Sequence, residues 1–249
     1  MSGHSKWSTI KRQKGAADAK RGQLFTKLAR EIAVAARAGL PDPESNFRLR
    51  LAVDKARQAN MPKDNIERAL ARAAGDGSGD NFDEVYYEGY GPGGTALMIL
   101  TMTDNRNRTV GEVRAALTRA GGTLGESGSV GWMFDRVGLI EFEVEGADPD
   151  DAALVAIDAG ARDVQVEDNL IEVVTEVEDL HSVQQALEAS GFNIVSAQLA
   201  MRPKTLMSPE PDVAIKSIRL VERLEDLDDV QEVFTNLNVS DEVLAEAIN

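Results

Sequence analysis

Apolar positions recur at helical spacing through the first ~75 residues. Leu24, Leu28, Ile32 and Ala35 form one stripe of a helix predicted over 16–38, stopped by Gly39 and Pro41. Asp42-Pro43 reads as the cap and first position of a second helix, whose face carries Leu49, Val53, Ala56 and Ala59. Pro62 opens a third, with Ile66, Leu70 and Ala73. Three helices with short connections predict a small bundle. Gly75-Asp76-Gly77-Ser78-Gly79 then reads as a flexible linker.

Beyond the linker the period changes to strands. Residues 84–90 and 95–103 are predicted strands around the glycine-rich loop 89–94. A helix is predicted from Thr109 to Ala120 and a short third strand from Val130 to Phe134. Residues 136–202 repeat a complete order of their own, β-α-β-β-α-β, with a hairpin at Glu167-Asp168-Asn169. After the prolines 203, 209 and 211 come one more helix, with Ile215, Ile218, Leu220, Val221 and Leu224, and one strand over 230–237. A helix and a strand cannot make a core alone, and neither can the unit over 82–134. The pattern therefore predicts an α+β protein of three parts. These are a helical domain over 1–76, a discontinuous α/β domain from 80–135 and 205–249, and a ferredoxin-like α/β domain over 136–202 inserted into it.

Composition narrows the function. The chain of 249 residues is 43% hydrophobic and 28% charged, enough apolar material for real cores. It has no Cys and only two His, His4 and His181, which leaves little for a thiol nucleophile, a His-dependent triad or a His-rich metal site. No run is long enough to span a bilayer and the MSGHSKWSTI start has no apolar signal core, so a cytoplasmic protein with no membrane partner is expected.

Charge changes the picture further. The net charge is -15, yet residues 1–72 hold 16 Lys+Arg against 7 Asp+Glu. A basic end on an acidic body suggests polyanion binding; a simple charge balance between the two ends is the plainer alternative. Eight cations precede residue 31: Lys6, Lys11, Arg12, Lys14, Lys20, Arg21, Lys27 and Arg30. Trp7 sits among them. Lys and Arg neutralise phosphates and an aromatic can stack on a base, so these nine residues are candidate nucleic-acid contacts; for Trp7, docking on the bundle is an equal alternative. Arg106 and Arg108, in Thr103-Asp104-Asn105-Arg106-Asn107-Arg108-Thr109, stand at a strand-to-helix junction where phosphate can bind, unless Asn and Thr there simply cap the helix. The glycine loop 89–94 lacks the Lys-Ser/Thr of a phosphate loop and reads as a hairpin turn. The acidic clusters 148–151 and 225–229 read as solvated faces, with no EF-hand spacing. No catalytic residue, cofactor or metal is expected.

Several stretches are familiar. SGHSKWSTIKRQKGAADAKRGQLFTKLAREI, MPKDNIERAL, YYEGYGPGGTALMI, MTDNRNRTV and GGTLGESGSVGWMF resemble the YebC family across nearly the whole chain. The resemblance implies a helical N-terminal domain, two α/β domains, no cofactor and no established catalytic residues. By the label of its bacterial branch it implies a DNA-binding transcriptional regulator of the cytoplasm. Related members, including the mitochondrial translational activator of cytochrome c oxidase, imply an alternative: a ribosome- and rRNA-associated translation factor that relieves stalling, for example at proline runs. The expected partners are thus DNA, rRNA or both. No helix-turn-helix is evident in the sequence, and the oligomeric state stays open, a monomer being compatible with everything above.

Overall fold

The computed structural model describes residues 18–74, 81–144, 146 and 148–248. The Gly75–Gly79 stretch and the basic segment before residue 18 lie outside the described residues. The chain divides into two compact units, one over Asp135–Arg202 and the other comprising the residues before and after it.

The larger unit begins with three helices: α1 (Asp18–Arg37), α2 (Phe47–Gln58) and α3 (Lys63–Ala74). Leu28, Ile32, Ala35 and Ala36 of α1 pack on Leu49, Val53 and Ala56 of α2 and on Ile66 and Ala69 of α3. The buried stripe runs through Phe25 and Ala29 rather than Leu24, which stays 39% exposed at its edge. The cap of α2 differs from the sequence reading. Asn46, not Asp42, accepts from the Leu49 N–H at 3.1 Å. Its amide also donates to the Ala35 and Leu40 carbonyls, which a carboxylate cannot do. Asp42 closes a local turn through the Glu44 N–H and the Ser45 hydroxyl instead.

The same unit holds a four-stranded sheet in the order β3-β1-β2-β8, from β1 (Asp83–Tyr90), β2 (Ala96–Thr103), β3 (Thr123–Leu124) and β8 (Val230–Thr235). β1 and β2 are antiparallel, and Gly93 and Gly94 turn between them at φ of 69° and 82°. Helices α4 (Arg106–Arg119) and α7 (Pro211–Glu225) contribute Val113, Leu117, Ile218, Val221 and Leu224 to a core shared with Leu97, Ile99 and Val233 of the sheet. The C-terminal strand thus pairs with β2 across a sequence gap of more than a hundred residues. A final helix, α8 (Asp241–Ile248), was not anticipated; it adds Leu244 to this core, and the carbonyl of Ser240, just before it, accepts the Leu244 N–H.

Two boundaries are corrected. Helix α4 starts at Arg106, three residues before the predicted Thr109, because Asn105 caps it by accepting from the Arg108 N–H at 3.1 Å. The strand expected over 130–134 is absent: residues 131–133 form one 3₁₀ turn, and the short strand is Thr123–Leu124. The N–H groups of Val130 and Gly131 are taken by the Glu88 carboxylate and cannot join a ladder.

The unit over Asp135–Arg202 carries β4 (Phe134–Glu143), α5 (Pro149–Asp158), β5 (Asp163–Glu167), β6 (Leu170–Thr175), α6 (Leu180–Ala189) and β7 (Asn193–Pro203). The strand order β5-β6-β4-β7 is the ferredoxin-like one. Ile140, Phe142, Ile171 and Val173 point to the helices, where Ala152, Ala156, Val183 and Leu187 are buried. Asp168, at φ 52°, turns the two-residue hairpin between β5 and β6. Among the described residues no helix is long and apolar enough to cross a membrane.

Candidate nucleic-acid interface

Of the cations singled out in the sequence, Lys6, Lys11, Arg12 and Lys14 lie outside the described residues, as does Trp7. Lys20 is in the first turn of α1 and Arg21 is exposed. Lys27 and Arg30 are turned inward, toward the end of α7. The last carbonyls of a helix lack partners and carry its negative dipole end, so cations are favoured there. Lys27 Nζ donates to the carbonyl of Glu225, the last residue of α7, at 2.5 Å, and Arg30 Nη1 to the Asp228 carbonyl in the turn after it at 2.6 Å. Gln23, on the same face of α1, donates to the Asp226 carbonyl and the Asp228 carboxylate. Arg48 of α2 adds an ion pair to Glu84 of β1. The three-helix domain is therefore fastened to the α/β domain by its own basic residues.

Asp229 is the centre of this contact. The acidic cluster 225–229 was expected to be a solvated face, but Asp229 is 1% exposed. Its Oδ1 accepts Arg30 at 3.0 Å. Its Oδ2 accepts Arg108 Nη2 at 2.7 Å, the Thr109 hydroxyl at 2.7 Å and the Thr103 hydroxyl at 3.0 Å. Burial alone would raise the Asp229 pKa, but the hydrogen bonds from Arg108, Thr109 and Thr103 outweigh it and hold the carboxyl below its usual range. The same carboxylate, with Asp104, pushes the Arg108 pKa up. So the MTDNRNRTV stretch does two local jobs. Asn105 caps α4, and Arg108 and the two threonines seat Asp229. Arg106 pairs with Asp83 at 2.8 Å and is 63% exposed.

Three arginines outside the sequence-based candidates join Arg30 at a second site. Between α1 and α3 lies a cavity of about 340 Å³. Arg30, Arg37, Arg68 and Arg72 line it, with Phe25, Met61, Ala69 and Phe82 as apolar wall, and no lining residue among those described is acidic. Arg30 also lies over the Phe82 ring at 5.1 Å. Arg68 is held by the Asp64 carbonyl and by Asn65. Arg72 is exposed and has no partner among the described residues. The sequence carried a signal, since Arg68 and Arg72 are one helical turn apart beside the apolar stripe of α3.

The loop over 125–131 presents another feature. Glu88 of β1 accepts the N–H groups of Gly128, Val130 and Gly131, each at 2.7 Å. Burial opposes the charge on Glu88, yet these three donors lower its pKa. Trp132 follows, 69% exposed, with its indole N–H donated to the Ser129 carbonyl. Among the described residues, no group of three or more His, Cys, Asp or Glu could hold a metal ion.

A basic three-helix domain fastened to a four-stranded α/β domain that carries a ferredoxin-like insertion defines a class of multidomain α+β protein. The chain belongs to the YebC family: residues 5–76 match the model of the TACO1/YebC protein N-terminal domain, and residues 82–237 that of the TACO1/YebC second and third domain. A relative in Roseiflexus castenholzii is 54% identical and one in Herpetosiphon aurantiacus 53% identical, covering 100% and 98% of this chain and 100% and 97% of their own. Both carry the name probable transcriptional regulatory protein. The crystal structure of a conserved hypothetical protein from Aquifex aeolicus is similar at a TM-score of 0.84, with 46% identity, over 91% of this chain and 94% of that one.

Proposed function

We propose that this protein is a non-enzymatic, nucleic-acid-binding regulator of gene expression that holds its target through the three-helix domain. The observation that carries the reading is the arginine-lined cavity between α1 and α3, where Arg37, Arg68 and Arg72 stand beside the Asp229-bound Arg30 with no acid among the described lining residues. Clustered arginines bind phosphate through paired donors and release counterions from the nucleic acid. In sequence, Lys6, Lys11, Arg12, Lys14, Lys20 and Arg21 add further positive charge to the same domain. The names of the relatives favour a transcriptional regulator on DNA, and a cytoplasmic location goes with it. Lys27, Arg30 and Arg108 act on this reading as fasteners that set the domain on its acidic partner, while Arg106, more exposed, serves as a secondary anchor.

A second reading, an rRNA-bound translation factor, is favoured by the shape of the cationic site. It is concave and flanked by two helices, whereas duplex DNA is read by elements that project into its grooves. The test is binding of full-length Arg68→Glu/Arg72→Glu protein to duplex DNA and to an rRNA fragment at one ionic strength. Loss of binding to either supports the reading; unchanged binding to both removes the arginines of the cavity as the contact.

A further inference from the structure

We propose that the cavity between α1 and α3 takes an unpaired nucleotide, making the target a single-stranded nucleic acid; this rests on the nucleic-acid reading above. The cavity joins two chemistries that a phosphate alone would not need. Arg37, Arg68 and Arg72 supply guanidinium groups, while Phe25, Met61 and Phe82 supply apolar surface. The arginines suit a phosphate, and the apolar wall suits a base, because every base has a face to stack on an aromatic ring or a guanidinium plane. Phe25 is the aromatic face for that role, since Phe82 is already covered by Arg30. Asn65 adds a side-chain amide among the lining residues, a hydrogen-bonding edge for the base.

Size and shape favour an unpaired base. The volume of about 340 Å³ is that of a small-molecule site, far below the cross-section of a double helix. A stacked, paired base cannot enter a concavity flanked by helices unless it is first extruded, at the cost of unstacking and unpairing. Unpaired strands do not bear that cost. The three-helix domain therefore selects loops, ends or displaced strands over continuous duplex.

Oligouridine, oligothymidine and a duplex of the same length, titrated against the full-length protein at one salt concentration, test this. The expected result is tighter binding of the single strands by roughly tenfold. Ala33→Leu, which fills the cavity and leaves every arginine in place, is expected to abolish that preference. Phe25→Leu keeps an apolar wall without the ring and is expected to weaken single-strand binding severalfold; it decides the matter if Ala33→Leu melts early. Binding of uridine and thymidine strands alike, or of uridine strands alone, both agree with an unpaired nucleotide and name its source. Equal or tighter binding of duplex by the wild type, or a preference that survives both variants, overturns the proposal. If Arg68→Glu/Arg72→Glu leaves every affinity unchanged, the reading of the cavity as the nucleic-acid contact fails instead.

Discussion

Arg30 reaches across from the three-helix domain to Asp229 at 3.0 Å, and the other oxygen of the same carboxylate takes Arg108 of α4 at 2.7 Å. One buried acid thus joins two domains whose charges would otherwise be described as merely complementary. An unpaired carboxylate with 1% exposure would be costly, and each of its partners would lose its anchor if it were removed. Asp229→Ala is expected to destabilise the protein by roughly 2–4 kcal/mol. Chemical denaturation of the purified variant beside the wild type measures this. A change within ~0.5 kcal/mol would show that the junction does not depend on this residue.

The same carboxylate sets a pH dependence. The folded-state pKa of Asp229 is depressed, and so is that of Glu88. Each therefore contributes stability that is fully present above the unfolded carboxyl pKa, about 4, and lost as the pH falls from there through the folded value. Denaturation midpoints between neutral pH and about pH 3 should fall more steeply for the wild type than for Asp229→Asn. Parallel curves would remove Asp229 from the account of acid sensitivity.

Much of this architecture was legible in the sequence. The stripe through Leu28, Ile32 and Ala35, the β-α-β-β-α-β order and the need for a C-terminal strand to complete the β1–β2 sheet all follow from local periodicity and strand counting. What local pattern could not supply was the partner of a polar residue. Asp42 and Asn46 both look like caps, and only the positions of the Ala35 and Leu40 carbonyls favour the amide. Val130 and Phe134 have the composition of a strand, but Glu88, some forty residues earlier, withdraws their neighbours' N–H groups. Asp229 reads as one acid in a solvated run until α1, β2 and α4 close over it. The arginine-lined cavity was hidden for the same reason, because Arg37 and Arg68 are distant in sequence and meet only when α1 packs on α3.

Glu88 is expected to order the loop that presents Trp132. In Glu88→Gln the charged acceptor for the Gly128, Val130 and Gly131 N–H groups is lost, at a cost of about 1–3 kcal/mol. In a Trp7→Phe background, Trp132 is the sole tryptophan. Its fluorescence anisotropy should drop in the Glu88 variant. Unchanged anisotropy and stability would mean the loop holds its shape without that carboxylate.

The MTDNRNRTV stretch separates into parts with different readouts. Asn105→Ala removes the cap of α4 and should cost ~1 kcal/mol with little direct effect on nucleic-acid affinity. Arg106→Ala removes an exposed ion pair, so its stability should stay within ~0.5 kcal/mol, while affinity falls if Arg106 is an anchor. Thermal melts paired with binding titrations of both variants check this. An Arg106→Ala protein with full affinity would confine nucleic-acid contact to the three-helix domain.

If the three-helix domain meets phosphate through the arginines of its cavity, the salt dependence of binding must report it. The slope of log affinity against log salt is to be compared for the full-length protein and for Arg68→Ala/Arg72→Ala, on one nucleic acid. If both side chains neutralise phosphates, the variant should bind more weakly at every salt concentration and its slope should shrink by roughly 1.5–2 units. An unchanged slope and affinity would contradict the claim and leave those arginines as ordinary surface charge.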